Sequence, residues 1–352
     1  MRAREIYRRL STHHEITLVT GNYPGAFQGE QDGMRFVRVG SGQSYVRSRL
    51  SYCRQAAGWL KQLVWDVWVH EFSAFAPLWV RPCFRGQGIL FFYHFVGHHA
   101  LLKHPLVGGV AWLAEALTLR GYRRILTISP SLQQQVRARL AGRPVQVDCV
   151  FTGVDARYFS LYPEEQPYVL FFGRTDVHTK GLDVLVKAFA RVAPAYSGLQ
   201  LKIAGRGRPS QVRRLQWLVQ AEGLADRVEL IGEVGEEQKG ELLRQALFIC
   251  MPSRYEGWGI AALEAAAVGK AVVGTRIAGL QDAVCEGRTG ILVKAGCPAA
   301  LAAGMQRLLD KPDLRHSLGA GGRVWARRFD WERIARDQEE LYLQAAAENR
   351  SR

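Results

Sequence analysis

The stretch PSRYEGWGIAALEAAA, residues 252–267, decides how this chain is read. It follows an apolar run, Leu247–Met251, and passes through two glycines into a segment rich in alanine. That pattern predicts a buried strand, a tight loop and a closely packed helix over Ile260–Val268. Gly257 and Gly259 leave backbone amides free at the helix start, where the helix dipole favours negative charge. Glu264 sits among Ala262, Leu263, Ala265, Ala266 and Ala267, which puts it on a buried face, and a buried charge needs a partner.

Outward from this stretch, the second half alternates short apolar runs with helical patterns. Strands are expected at Tyr168–Phe172, Gln200–Ala204, Val228–Ile231, Leu247–Met251, Ala271–Gly274 and Ile291–Val293. Helices are expected at Leu182–Val192, Pro209–Glu222, Glu236–Gln245, Ile260–Val268 and Pro298–Leu309. This is the rhythm of a doubly wound parallel sheet, α/β in class. Glycines follow most of the strands (Gly173, Gly205, Gly232), and ligands of such sheets bind outside the carboxyl ends of the strands. The loop Gly173-Arg174-Thr-Asp-Val-His-Thr-Lys180-Gly181 adds two cations beside amide donors, a cradle suited to a diphosphate. Eight helical residues span about 12 Å at roughly 1.5 Å each. Glu256 and Glu264 would then accept hydroxyl hydrogens from a sugar and from a ribose joined by two phosphates.

The spacing E-G-W-G-x-x-x-x-E, with seven residues between Glu256 and Glu264, resembles the E-x7-E motif of the family-4 retaining glycosyltransferases, a group with the GT-B fold. FGRTDVHTKG, residues 172–181, resembles that family's donor loop. Ile203-Ala-Gly-Arg-Gly207, Gly279-Leu-Gln-Asp282 and Gly287-Arg-Thr-Gly290 match further stretches in order. Phe151-Thr-Gly-Val-Asp155 resembles the family's P-N-G-V-D with Thr152 in place of Asn. The resemblance runs from about Val145 to Tyr342.

It implies two Rossmann-like domains facing across a cleft: residues 1–160 for the acceptor, 161–326 for the nucleotide sugar, and a C-terminal helix, 327–352, packing back on the first. The Pro163–Pro167 region is the expected linker. Arg174 and Lys180 would bind the diphosphate and stabilise it as leaving group. Glu256 would hold the transferred sugar and Glu264 the ribose, with Gly173, Gly205, Ser253, Gly257, Trp258 and Gly259 completing the donor site and Gly232 and Val234 near the base. The implied reaction is metal-independent, configuration-retaining transfer of a hexose-type sugar from a nucleotide-diphosphate donor to a lipid-linked or saccharide acceptor in cell-envelope glycan or glycolipid synthesis. No cofactor is expected. A catalytically impaired donor-binding subunit of the same fold is the competing reading.

The first half reads as a second, less regular α/β domain. Ile89-Leu-Phe-Phe-Tyr-His94 is an apolar strand ending on a histidine, where the family's reactive-centre histidine occurs; His98 and His99 compete for that role. The family begins with a strand and a Gly-rich loop, whereas Met1–Leu10 resembles the second half of the helix that follows. The first domain is therefore expected to lack its first strand, and a longer natural N-terminus is expected.

Composition bounds the alternatives. Hydrophobic residues are 48% and charged residues 22% of 352, ample for packed cores without disulfides. The six cysteines show neither C-x-x-C nor zinc spacing and read as reduced residues of a cytoplasmic protein. No apolar run reaches the roughly 18 residues of a membrane span. The net charge of +15 divides as +11 over residues 1–160 and +4 over 161–352. No nucleic-acid signature accompanies it, so an anionic membrane surface or a phosphate-bearing acceptor is the expected partner of the basic half. Arg47–Val64 is an expected helix whose apolar stripe, Leu50, Cys53, Ala57, Leu60 and Val64, packs on the sheet of the first domain in the favoured reading; the alternative is peripheral attachment through its basic face.

Overall fold

The computed structural model describes residues 2–73, 87–95 and 105–351. The chain forms two compact units, Met1–Phe151 with Glu332–Arg352, and Thr152–Trp331.

The first unit runs α1 (Arg2–Leu10), β1 (Ile16–Gly21), β2 (Gly29–Gln31), β3 (Met34–Val39), α2 (Tyr45–Gln62), β4 (Val69–Glu71), β5 (Ile89–Phe92), α3 (Pro105–Gly121), β6 (Arg124–Thr127), α4 (Pro130–Arg139) and β7 (Gln146–Cys149). Its strands form two sheets, β1-β3-β2 and an all-parallel β4-β5-β6-β7. Among the described residues no strand joins β1 to β4. Ile89–Phe92 is buried at every position, as parallel strands covered on both faces are. Ser129 caps α4 by accepting from the Leu132 amide at 3.2 Å, and Pro130 opens the helix.

The sheet β1-β3-β2 is covered by α2, but not by the expected stripe. Tyr52, Ala56 and Trp59 pack against Val19, Val37 and Val39. Leu50 and Val64 are left exposed, and Cys53, Ala57 and Leu60 are half-buried. No helix of the described residues is long and apolar enough to cross a membrane.

The second unit runs β8 (Tyr168–Phe172), α5 (Leu182–Val192), β9 (Gln200–Ala204), α6 (Pro209–Ala221), β10 (Val228–Gly232), α7 (Glu236–Gln245) and β11 (Ile249–Met251), then α8 (Ile260–Val268), β12 (Val272–Thr275), α9 (Leu280–Ala283), β13 (Gly290–Val293), α10 (Pro298–Asp310) and α11 (Pro312–Ala326). One parallel sheet has the order β10-β9-β8-β11-β12-β13, the doubly wound 3-2-1-4-5-6 arrangement. Phe171, Leu185, Phe189, Phe248 and Met305 are buried in its core. The helix α11 has no counterpart in the sequence reading, because HSLGAGG looks like a loop. Its glycines instead permit close packing on the end of α8: a Cβ at Gly319 would stand 2.1 Å from the Gly269 carbonyl oxygen.

The chain passes between units at Phe151/Thr152, ahead of the expected boundary at 160, and the Pro163–Pro167 region belongs to the second unit. Hydrogen bonds explain this. The Tyr158 hydroxyl donates to Glu236 at 2.7 Å, the Glu164 amide donates to the Arg244 carbonyl at 3.0 Å, and Arg315 pairs with Glu165 at 2.7 Å. The last helix, α12 (Trp331–Arg350), enters the first unit at Glu332, where Arg9 meets Glu332 at 2.7 Å and Arg2 reaches Gln338.

Candidate donor site of the second unit

In the order 3-2-1-4-5-6 the strand sequence reverses between β8 and β11, and crossovers leave on opposite faces there, opening a crevice at their carboxyl ends. Both motifs read from the sequence lie at that point. The loop Gly173–Gly181 follows β8, and Pro252–Gly259 follows β11.

The two loops are fastened to each other. Lys180 Nζ lies 2.5 Å from Glu256 Oε2, with both side chains mostly buried. The Arg254 amide donates to the Thr179 carbonyl at 3.0 Å, and the Arg254 guanidinium grips Asp183 through two bonds of 2.7 Å. Gly181 heads α5 with φ +66°, and a Cβ there would stand 2.0 Å from the Pro252 carbonyl oxygen. Only glycine fits this crossing. The Arg254–Asp183 pair was missed in sequence because their meeting depends on β8 and β11 being neighbours.

Arg174 is exposed just past β8, and its side chain forms no hydrogen bond or ion pair with the described residues. Ser253 is fully buried: its hydroxyl lies 3.5 Å from Glu256 Oε2, and its carbonyl accepts from the Thr275 hydroxyl. Trp258 is also buried, donating from its indole to the Thr152 carbonyl at 3.2 Å and lying edge-on to Phe329. At these two positions the backbone, rather than the side chain, is what the loop can offer a ligand. Gly257 and Gly259 lead into α8, which begins at Ile260. Only five residues up to Glu264 are therefore helical, and the 12 Å helical separation of Glu256 and Glu264 does not apply. The left-handed turn at Gly259, φ +79°, breaks the helix before Glu256.

Glu264 is buried and finds its partner in α7: Lys239 Nζ lies 2.7 Å from Glu264 Oε1. Burial pushes the Glu264 carboxyl above its ordinary value, and Lys239 opposes that shift. Lys239 was overlooked in sequence, although a signal existed. It stands three and four residues before Leu242 and Leu243, on the apolar face of α7.

Beside this cluster, at the ends of β9 and β10, lies a cavity of about 330 Å³ lined by Thr175, Ile203, Gly205, Arg206, Gly232 and Glu233. Val234 is half-buried on the same loop as Gly232 and Glu233. His94 is exposed immediately past β5 in the first unit, one residue beyond Tyr93. His98 and His99 fall outside the described residues. The second unit thus gathers cations, a helix N-terminus and two lysine-held carboxylates at one end of a doubly wound sheet, groups whose chemistry can donate to anions and accept from hydroxyls.

The fold is that of the GT-B glycosyltransferases. Sucrose-phosphate synthase from Thermosynechococcus elongatus superimposes with a TM-score of 0.84 at 23% identity, over 98% of this chain and 92% of that one. WaaG, a glycosyltransferase involved in lipopolysaccharide biosynthesis, gives 0.75 at 15% identity over 97% and 94%. Anabaena HepE, solved with UDP and glucose, gives 0.77 at 16% identity over 97% and 95%. Residues 1–158 match the family model described as glycosyltransferase family 4, and residues 156–325 match that of glycosyl transferases group 1. The chain belongs to this family. Among relatives, a phosphatidyl-myo-inositol mannosyltransferase of Mycobacterium leprae is 36% identical over 49% of this chain and 46% of its own length. A D-inositol 3-phosphate glycosyltransferase of Xylanimonas cellulosilytica is 35% identical over 52% and 43%. The matched region thus spans about half the length of these curated relatives.

Proposed function

We propose that this chain transfers a sugar, with retention of anomeric configuration and without a metal ion, from a nucleotide-diphosphate donor to a lipid-linked or saccharide acceptor of cell-envelope glycan or glycolipid synthesis. The observation that carries this reading is the pairing of Lys180 with Glu256 across the β8/β11 crevice, beside the start of α8. An ammonium has three donors, so Lys180 can hold Glu256 and a phosphate oxygen together. Arg174 offers a planar fork for the same diphosphate. As the bond between the sugar and the diphosphate breaks, negative charge gathers on the departing phosphate, and these two cations stabilise it. Glu256, held through one oxygen, has the other for the sugar hydroxyls, while Glu264 serves the ribose. Each carboxylate is engaged by a lysine, which suits hydrogen-bond acceptors and not the acid and nucleophile of a hydrolase. The cavity by Gly232 takes the base.

Attachment to the inner face of an anionic membrane is part of the proposal. Its support is α2, where exposed Leu50 accompanies exposed Arg47, Arg54 and Lys61, with exposed Val64 just past its end. Flotation that does not differ between neutral and anionic liposomes removes this part alone.

The central test is nucleotide-diphosphate release from UDP-, GDP- and ADP-sugars, offered with lipid-linked and saccharide acceptors in buffer with and without EDTA. Release from one donor, unchanged by EDTA, with an α-linked product from an α-linked donor is the expected result. Binding without release under every pairing assigns a donor-binding subunit instead, and no binding at all overturns the reading.

A further inference from the structure

The activity proposed above uses Lys239, the buried cation of α7, only as the partner that keeps Glu264 an acceptor. Its ammonium stands 2.7 Å from Glu264 Oε1 and 3.7 Å from Glu236 Oε2. It also lies 4.9 Å from the centre of the Phe172 ring and 5.3 Å from that of Tyr158. Tyr158 in turn donates to Glu236, so β8, α7, α8 and the Tyr158 segment all converge on one ammonium. The side chains of Lys239 and Glu264 keep only 7% and 8% of their exposure. A pair this buried is not a solvated surface contact, and removing one partner strands the other's charge.

The geometry divides the Glu264 carboxylate in two. Oε1 accepts the Lys239 hydrogen bond at 2.7 Å, and the described residues make none to Oε2. We infer that Lys239 is a positioning residue: by holding Oε1 it keeps the ionised carboxylate of Glu264 aimed so that Oε2 receives the ribose hydroxyls of the nucleotide. This rests on the donor-site reading above. Burial, Glu236 and Asp155 all press Glu264 toward its neutral form, and Lys239 is the group that opposes them. A neutral acid is the poorer acceptor, and a carboxyl freed from Lys239 is no longer fixed in direction.

The inference is tested by calorimetry on the full chain with UDP, GDP and ADP and with the 2′,3′-dideoxy counterpart of whichever binds. Wild-type protein is expected to prefer the ribonucleotide by about tenfold or more, the scale of one charge-assisted hydrogen bond. In K239M the ribonucleotide weakens by about tenfold while the dideoxy form is unchanged. K239R keeps the preference, and K239M placed on E264Q adds no further loss. If K239M is unstable, K239M/E264L, which buries no lone charge, takes its place and binds both forms alike. Equal weakening of both forms by K239M, or a preference that survives in K239M/E264L, overturns the positioning role. Failure of the wild-type protein to bind any of the three diphosphates overturns the donor site itself, a result distinct from binding without ribose preference.

Discussion

Both units alternate strand and helix, yet only the second closes that alternation into one sheet. Its six parallel strands meet in the order β10-β9-β8-β11-β12-β13, while the described residues of the first unit divide seven strands between two sheets. The difference teaches where a site can be read. A doubly wound sheet has one reversal point, and the sequence places its two charged, Gly-rich loops there. In the first unit the sheet β1-β3-β2 is covered chiefly by α2, and its candidate residue, His94, stands at a strand end without a comparable polar cluster in its motif.

The sharpest way to break the comparison is to remove charge from each unit in turn. Arg174→Met and Lys180→Met are expected to lower donor turnover by about 10²–10³ each, the scale of losing a group that stabilises developing charge. His94→Ala is expected to reduce turnover while leaving nucleotide-diphosphate affinity within about twofold, because the proposal draws the diphosphate contacts from the second unit alone. Equal loss of affinity in all three variants, measured by calorimetry, would show that donor binding is not confined to the second unit.

Gly181→Ala follows in size. The new Cβ meets a backbone carbonyl that cannot move aside, at a left-handed φ, and a loss on the order of 3 kcal/mol is expected in denaturant melts. Gly142→Ala in the first unit is the control: φ is +81° there, but space is open, and about 1 kcal/mol is expected.

Lys270 shows that the regular unit still carries a destabilising charge. It is 1% exposed, its Nζ makes no hydrogen bond, and Glu165 lies 4.0 Å away, engaged by Arg315. Burial lowers its pKa to about 8. Below pH 8 it is charged both folded and unfolded, and the burial cost is fully present. Between about 8 and the ordinary lysine value of 10.5 only the unfolded chain keeps the proton, so stability rises with pH across that window. Lys270→Met is expected to stabilise the protein by roughly 1–3 kcal/mol at pH 7 and to abolish the rise. An unchanged midpoint at both pH 7 and pH 10 would refute this.

The smallest effect expected concerns local opening. Amides of β1 and β3 should exchange sooner than those of β8 and β9, since the former sheet is only partly buried. Hydrogen exchange resolved by peptide reads the difference directly.

Much of the second unit was legible. Tyr168–Phe172, Gln200–Ala204, Leu182–Val192, Glu236–Gln245 and Ile260–Val268 fall where the apolar patterns put them. Their boundaries are set by local features that a sequence carries: apolar runs, and Gly before each of the three helices. The helix α11 was not legible, because glycines that serve close packing look like a loop. The packing face of α2 was not legible either, since several faces of that helix carry apolar residues and only the neighbouring sheet selects Tyr52, Ala56 and Trp59.

By itself, then, the sequence determined the strand–helix alternation, the two site loops, and the requirement that Glu264 be buried with a partner. These follow from local periodicity and from the cost of burying charge. Only the tertiary structure decided that the partner is Lys239, that Lys180 meets Glu256, and that Arg254 grips Asp183. Each of those pairs joins residues far apart in the chain. Whether they meet depends on which strands become neighbours, and strand order is a property of the whole sheet rather than of any one segment.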